Sequence, residues 1–120
     1  MSKILIVEDN ALNRALLTAV LKPAGFEILS AEDGRQGIDV AQRELPDLIL
    51  MDVMLPGLNG YEATRRLKAE PATQHIPIIA ITANAAPAER ERALDAGCDG
   101  YIAKPIDTRA LPGQVRLFLR

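Results

Sequence analysis

Three carboxylates, a hydroxyl and an ammonium stand at the ends of apolar runs in this chain. Residues 4–7 are stopped by Glu8 and Asp9, residues 48–51 by Asp52, residues 76–81 by Thr82, and residues 100–103 by Lys104 and Pro105. If the run ends meet in space, the carboxylates repel. Two unit charges about 4 Å apart cost roughly 4 kcal/mol at an effective dielectric of about 20. The cluster therefore needs protons or a cation. Hard oxygen donors, few in number and leaving room for water, favour Mg²⁺. Zinc finds no support, because the only histidine is His75 and the only cysteine is Cys98. With Mg²⁺ and Lys104 drawing charge off a phosphoryl group, one carboxylate can attack phosphorus. Asp52 is the best nucleophile, since it ends the third apolar run and leads into the turn Met54-Leu55-Pro56-Gly57. Glu8 and Asp9 are then metal carboxylates, Thr82 a hydroxyl donor and Lys104 a point charge for phosphoryl oxygens.

Such a meeting requires elements that deliver run ends to one rim. Five apolar runs (4–7, 26–31, 48–51, 76–81 and 100–103) read as strands, four of them uniformly apolar and so buried on both faces. Helical periodicity fills the gaps. Leu12, Leu16, Leu17, Val20 and Leu21 fall on one face, with a stop at Pro23 and Gly25. Asp33-Gly34 opens a second helix with Ile38 and Ala41 inward. Asn59-Gly60 opens a third carrying Ala63 and Leu67. Residues 85–96 form an Ala-rich fourth closed by Gly97. Asp107 or Thr108 caps a fifth carrying Leu111, Val115, Phe118 and Leu119, with Pro112 tolerable in the first turn. Alternation of this kind implies an α/β fold, (βα)₅, with a parallel sheet and right-handed crossovers. A Rossmann half and the flavodoxin-like order 2-1-3-4-5 both fit. In either, function gathers at the carboxyl ends of the strands.

Bulk composition narrows the classes. The chain has 120 residues, 48% hydrophobic and 25% charged, which is ordinary for one globular domain. A net charge of −2 argues against nucleic-acid or anionic-membrane binding. Lone Cys98 reads as a small buried residue near a helix end. No signal peptide and no apolar stretch of bilayer length is found, so a cytoplasmic location is expected.

The motifs Ile6-Val7-Glu8-Asp9-Asn10, Asp47-Leu48-Ile49-Leu50-Met51-Asp52, Leu55-Pro56-Gly57 with Gly60, Ile81-Thr82-Ala83 and Lys104-Pro105 resemble the receiver domain of bacterial response regulators. The resemblance covers essentially the whole chain. Asn13 and Gly97-Cys98-Asp99-Gly100-Tyr101 add a likeness to stand-alone single-domain regulators of cell division. Receivers of hybrid sensor kinases share much of the same wording. The resemblance implies a doubly wound five-stranded sheet in the order 2-1-3-4-5, spanning residues 1–120 as one receiver domain without an output domain. It implies Asp52 as phosphoacceptor, and Mg²⁺ held by Glu8, Asp9, Asp52 and the backbone carbonyl of Met54. It further implies Lys104 as the phosphate contact, a cis peptide before Pro105, and Thr82 with Tyr101 as the switch pair. Met54 and Asn84 occupy positions that tune dephosphorylation. Met54 offers no hydrogen bond to orient an attacking water, so loss of the phosphoryl group is expected to be slow.

The implied function is a phosphorelay switch, not an enzyme acting on a separate substrate. It would take a phosphoryl group from a sensor histidine kinase or a histidine phosphotransfer protein and act on a downstream protein target. It would be a monomer or a weak phosphorylation-dependent dimer. A flavin-binding protein shares the fold class, but Glu8 and Asp9 repel the phosphate such a protein cradles after its first strand. An aspartyl phosphatase of the haloacid dehalogenase type usually wants an acid two residues after the nucleophile, where Met54 stands. A module that no longer accepts phosphate finds no support, because Glu8, Asp9, Asp52, Thr82 and Lys104 are all present.

Overall fold

Alternate residues of the central strands face two different layers of helices, which is why those strands are apolar throughout. The computed structural model describes residues 1–84 and 86–119. Its elements run β1 (Lys3–Val7), α1 (Ala11–Leu21), a 3₁₀ turn (Lys22–Ala24), β2 (Glu27–Ala31), α2 (Gly34–Glu44) and β3 (Leu48–Asp52). They continue with α3 (Gly60–Ala69), β4 (Ile78–Thr82), α4 (Pro87–Ala96), β5 (Gly100–Ala103) and α5 (Leu111–Phe118). The sheet is parallel, in the order β2-β1-β3-β4-β5. This is the flavodoxin-like order and excludes the Rossmann half. The chain moves one way from β1 to β2 and the other way afterwards, so a crevice opens at the carboxyl ends of β1 and β3.

Leu5, Val7, Ile49, Met51 and Ile78 pack with Ala63, Leu67 and Ala93 in the layer built from α2, α3 and α4. Ile4, Ile6, Leu48, Leu50 and Ile79 face the opposite layer, where Leu17 and Leu21 of α1 meet Leu111 and Val115 of α5. Burying one such side chain contributes about 1.5–3 kcal/mol. A one-residue slip of any strand would only exchange the layers, so register must also be fixed at the helix ends. Asn10, Asp33 and Asn59 do this at three starts, accepting from the N–H groups of Asn13, Gln36 and Glu62 at 3.0, 2.8 and 3.0 Å. Gly25 and Gly97 close the 3₁₀ turn after α1 and α4 with left-handed backbone.

Two sequence expectations are corrected. Leu12 and Leu16 lie outside the apolar face of α1, at 81% and 48% exposure, and only Leu17 and Leu21 are fully buried. A surface helix buries only one stripe against the sheet and its neighbour helix, so spacing alone overstated the face. Asp107 caps a turn, accepting from Arg109 and Ala110, and α5 begins only at Leu111. Pro112 therefore falls in the first turn of α5, where its missing N–H costs nothing. The expected start of the fourth helix at Ala85 lies outside the described residues; the helix is described from Pro87.

Gly60 joins this frame to the crevice. A Cβ there would lie 2.2 Å from the backbone oxygen of Asp52 and 2.8 Å from Cα of Val53. Only glycine lets the start of α3 press against the end of β3. Gly60→Ala is expected to cost about 3 kcal/mol, at the upper end of ordinary single substitutions. Urea unfolding followed by circular dichroism checks this, with an unchanged midpoint refuting it.

Candidate functional site

Strand register alone brings the sequence-predicted residues together. Val7 pairs with Met51, so Glu8 and Asp52 come next, side by side. Asp52 pairs with Ile81 and Thr82 with Ala103, which carries Thr82 and Lys104 to the same rim. Side-chain alternation sorts them further. Glu8, Asp52 and Lys104 are in phase with Ile6, Leu50 and Ile102, which face the α1 and α5 layer. Thr82 is in phase with Ala80, which faces α3 and α4.

Carboxylate oxygens of Glu8, Asp9 and Asp52 lie within 4.8 Å of one another. Glu8 and Asp52 are each 3% exposed, while Asp9 faces solvent. Lys104 Nζ stands 3.3 Å from Asp52 Oδ2 and 3.6 Å from Glu8 Oε1. Asp52 Oδ1 accepts the backbone N–H of Met54 at 2.9 Å. Glu8 is gripped from α1: the Asn13 amide donates to Oε1 at 2.7 Å, and the Arg14 guanidinium donates to the Glu8 carbonyl at 2.7 Å. Among the described residues, Oε2 of Glu8 is buried without a hydrogen-bond partner.

One ammonium cannot neutralise two buried carboxylates and an adjacent third. Glu8 registers the deficit, its carboxyl pushed up to about 7 by burial first and then by Asp52, against the opposing pull of Asn13 and Lys104. An oxygen-only donor set, an excess of negative charge and one oxygen with no partner are what a small divalent cation requires. The residues present fit such an ion.

Thr82 is buried, and its hydroxyl accepts the N–H of Asn84 at 3.1 Å. The Asn84 side chain turns to the Ala86 N–H at 2.9 Å. Met54 stands on the rim with 74% of its surface exposed. Tyr101 is half-buried against the α2, α3 and α4 layer. The Lys104–Pro105 peptide is cis. Cys98 is buried, with its thiol pushed up by burial.

Beside the cluster, a groove of about 510 Å³ is lined by Asp9, Met54, Asn59, Tyr61, Glu89 and Arg92 among others. The Tyr61 hydroxyl donates to Glu89, and the Arg92 guanidinium lies 4.7 Å from the Tyr61 ring centre. Burial and the Glu89 carboxylate hold the phenol above its usual range. Arg90, Glu91 and Arg92 are all exposed, and Arg92 also lies over the Tyr61 ring. A second groove, about 200 Å³, lies on the α1 side between Asn13, Leu16, Leu17, Lys104, Pro105 and Ile106. The sequence reading missed the structural roles of Asn13, Tyr61 and Glu89. The spacing Asn10-x-x-Asn13 carried a signal for the first, since a residue three after a helix cap points back toward the preceding strand. Nothing local pairs Tyr61 with Glu89.

A family model described as the response regulator receiver domain matches residues 4–116. The polar-differentiation response regulator DivK of Brucella anthropi is 39% identical over 97% of this chain and 94% of its own. The response regulator PleD of Caulobacter vibrioides is 40% identical over 99% of this chain, which spans only 26% of that protein. Among solved structures, chemotaxis protein CheY4 of Vibrio cholerae superposes with a TM-score of 0.94 at 28% identity, covering 99% of both chains. The receiver domain of sensor histidine kinase PA1611 from Pseudomonas aeruginosa, solved with a magnesium ion in its active site cleft, gives a TM-score of 0.90 at 40% identity, over 98% of this chain and 96% of that one. Fold, rim and likeness converge, and this chain belongs to the response regulator receiver domains of two-component signalling.

Proposed function

We propose that Asp52 accepts a phosphoryl group from a phosphohistidine, with Mg²⁺ bound beside it, and that the charged state is read by a partner protein. The observation that carries this reading is the placement of Lys104 Nζ against Asp52, next to the orphaned oxygen of Glu8. Mg²⁺ held by Glu8, Asp9, Asp52 and the Met54 carbonyl supplies positive charge for the phosphoryl oxygens. An Asp52 oxygen forms the bond to phosphorus as the phosphorus–nitrogen bond of the donor breaks. Lys104 leaves its ion pair with Asp52 and follows the charge onto the phosphoryl group. The Met54 N–H holds the other carboxylate oxygen and so orients the attacking one.

The donor, a sensor histidine kinase or a histidine phosphotransfer protein, docks on α1 and the segment after β5, placing the chain in the cytoplasm with it. Exposed Leu12 and Leu16 beside the Pro105–Ile106 groove support that surface. Thr82 is the switch hydroxyl. To reach a phosphoryl oxygen it must give up its contact with Asn84, which loosens the lead into α4 and lets Tyr101 move on the face of α4, β5 and α5. The presence of magnesium in the PA1611 receiver supports the metal assignment.

Purified protein with acetyl phosphate and Mg²⁺ is expected to gain one phosphoryl group, and Asp52→Asn none; incorporation unchanged in Asp52→Asn, or turnover of phosphate esters, refutes the reading. Met54 is exposed and carries no side-chain hydrogen-bond donor, and the Asn84 side chain is turned to the Ala86 N–H, so neither orients water. The phosphoryl lifetime is expected to be minutes or longer, and a lifetime of seconds contradicts this. Charging Glu8 opposes folding in the metal-free protein, because its folded value near 7 exceeds the ordinary 4.5. That contribution to stability is present below pH about 4.5 and is lost as pH rises through about 7. Mg²⁺ binds the ionised form, so the rise in Tm on adding Mg²⁺ should be larger at pH 8 than at pH 6. An equal or smaller rise at pH 8 in thermal melts refutes the assignment.

A further inference from the structure

We infer that Asn13 is a positioning residue for the cation site, fixing the Glu8 carboxylate so that one oxygen is held by protein and the other is presented to the ion. The inference rests on the metal assignment proposed above and adds the residue that sets its geometry.

Four observations lead there. The Asn13 amide donates to Glu8 Oε1 at 2.7 Å, the shortest side-chain bond that Glu8 makes among the described residues. The second oxygen, Oε2, is buried with no hydrogen-bond partner among the described residues, and a carboxylate oxygen of Glu8 lies within 4.8 Å of oxygens of Asp9 and Asp52. Asn13 sits in the first turn of α1, where its backbone N–H also donates to the Asn10 cap at 3.0 Å. The neighbouring Arg14 anchors the Glu8 carbonyl at 2.7 Å and reaches Glu32 at 3.4 Å. The first turn of α1 thus holds Glu8 at both its backbone and its side chain.

The chemistry of the donor matters. An amide N–H satisfies one carboxylate oxygen without adding positive charge, so the negative charge that attracts a cation is retained. A lysine or arginine in that place would form an ion pair and compete with the metal. A carboxylate turning about its last bond loses rotational freedom when one oxygen is tied, and that cost is met at folding instead of at metal binding. Asn13 also lines the α1-side groove with Lys104, Pro105 and Ile106, so a group seated there touches the residue that orients the ion's ligand.

The test compares Asn13→Ala with Asn10→Ala. Asn10 caps the same helix but makes no side-chain bond to Glu8 among the described residues. Mg²⁺ titrations are followed by Tm at pH 8, and in parallel by the rate of phosphorylation from acetyl phosphate. Asn13→Ala is expected to raise the Mg²⁺ concentration for half-maximal Tm gain about tenfold, in the range for lost outer-shell partners of metal ligands. Its phosphorylation rate at limiting Mg²⁺ should fall below that of the parent. Asn10→Ala is expected to lower Tm and leave the Mg²⁺ midpoint in place. An unshifted midpoint in Asn13→Ala overturns the inference, as does an equal shift in Asn10→Ala, which would reduce the effect to helix integrity. If the parent protein shows no response to Mg²⁺, the metal assignment falls and this inference falls with it.

Discussion

Two carboxylates buried side by side, with a third at the rim and one ammonium among them, form the constraint around which this molecule is arranged. Alone, such a group is unstable, since burying charge without full compensation costs several kcal/mol per ion. Here it survives because its partners come from rigid elements: Lys104 from the end of β5, the Met54 amide from the turn after β3, and Asn13 and Arg14 from the first turn of α1. Each supplies part of the compensation, and together they still leave an oxygen of Glu8 unmatched. A molecule built only for stability would have removed that oxygen.

The supporting frame follows from the same demand. A parallel sheet places all its carboxyl ends on one side, and the reversal between β1 and β3 opens the crevice where the acids stand. Gly60 lets α3 close on the backbone of Asp52, so the strand end carrying the proposed nucleophile is pressed from behind. Asn caps at α1 and α3 fix the helices nearest the crevice without lending net charge to it. On the α4 side, Tyr61, Glu89 and Arg92 tie the two helices that border the larger groove. Among the described residues no side chain caps the start of α4, and this tie, with the Asn84 bond to the Ala86 N–H, anchors it.

Much of this was legible in the chain before any coordinates. Strand positions could be read because burial on both faces leaves unbroken apolar runs, and the site because four of those runs end in chemistry at one rim. The order of the strands was not legible from patterning, since two topologies share the same alternation; only the likeness of motifs chose between them. Helix faces were read too broadly where a stripe of leucines in α1 mixes packing with exposure, as at Leu12 and Leu16. Contacts between elements far apart in sequence, such as Tyr61 with Glu89, leave no periodic trace. Asn13 lies between these cases: its spacing from the cap hinted at direction, but its target depended on where β1 ended.

The alternation of side chains at the strand ends has a wider meaning. Glu8, Asp52 and Lys104 are in phase with strand residues that face one helical layer, and Thr82 with those that face the other. In the proposed switch, a charge placed on the first side is read across the thickness of the sheet by a residue in phase with the second. Under that proposal the sheet is a partition between two layers that can diverge under separate selection, one for who delivers a charge and one for who hears of it.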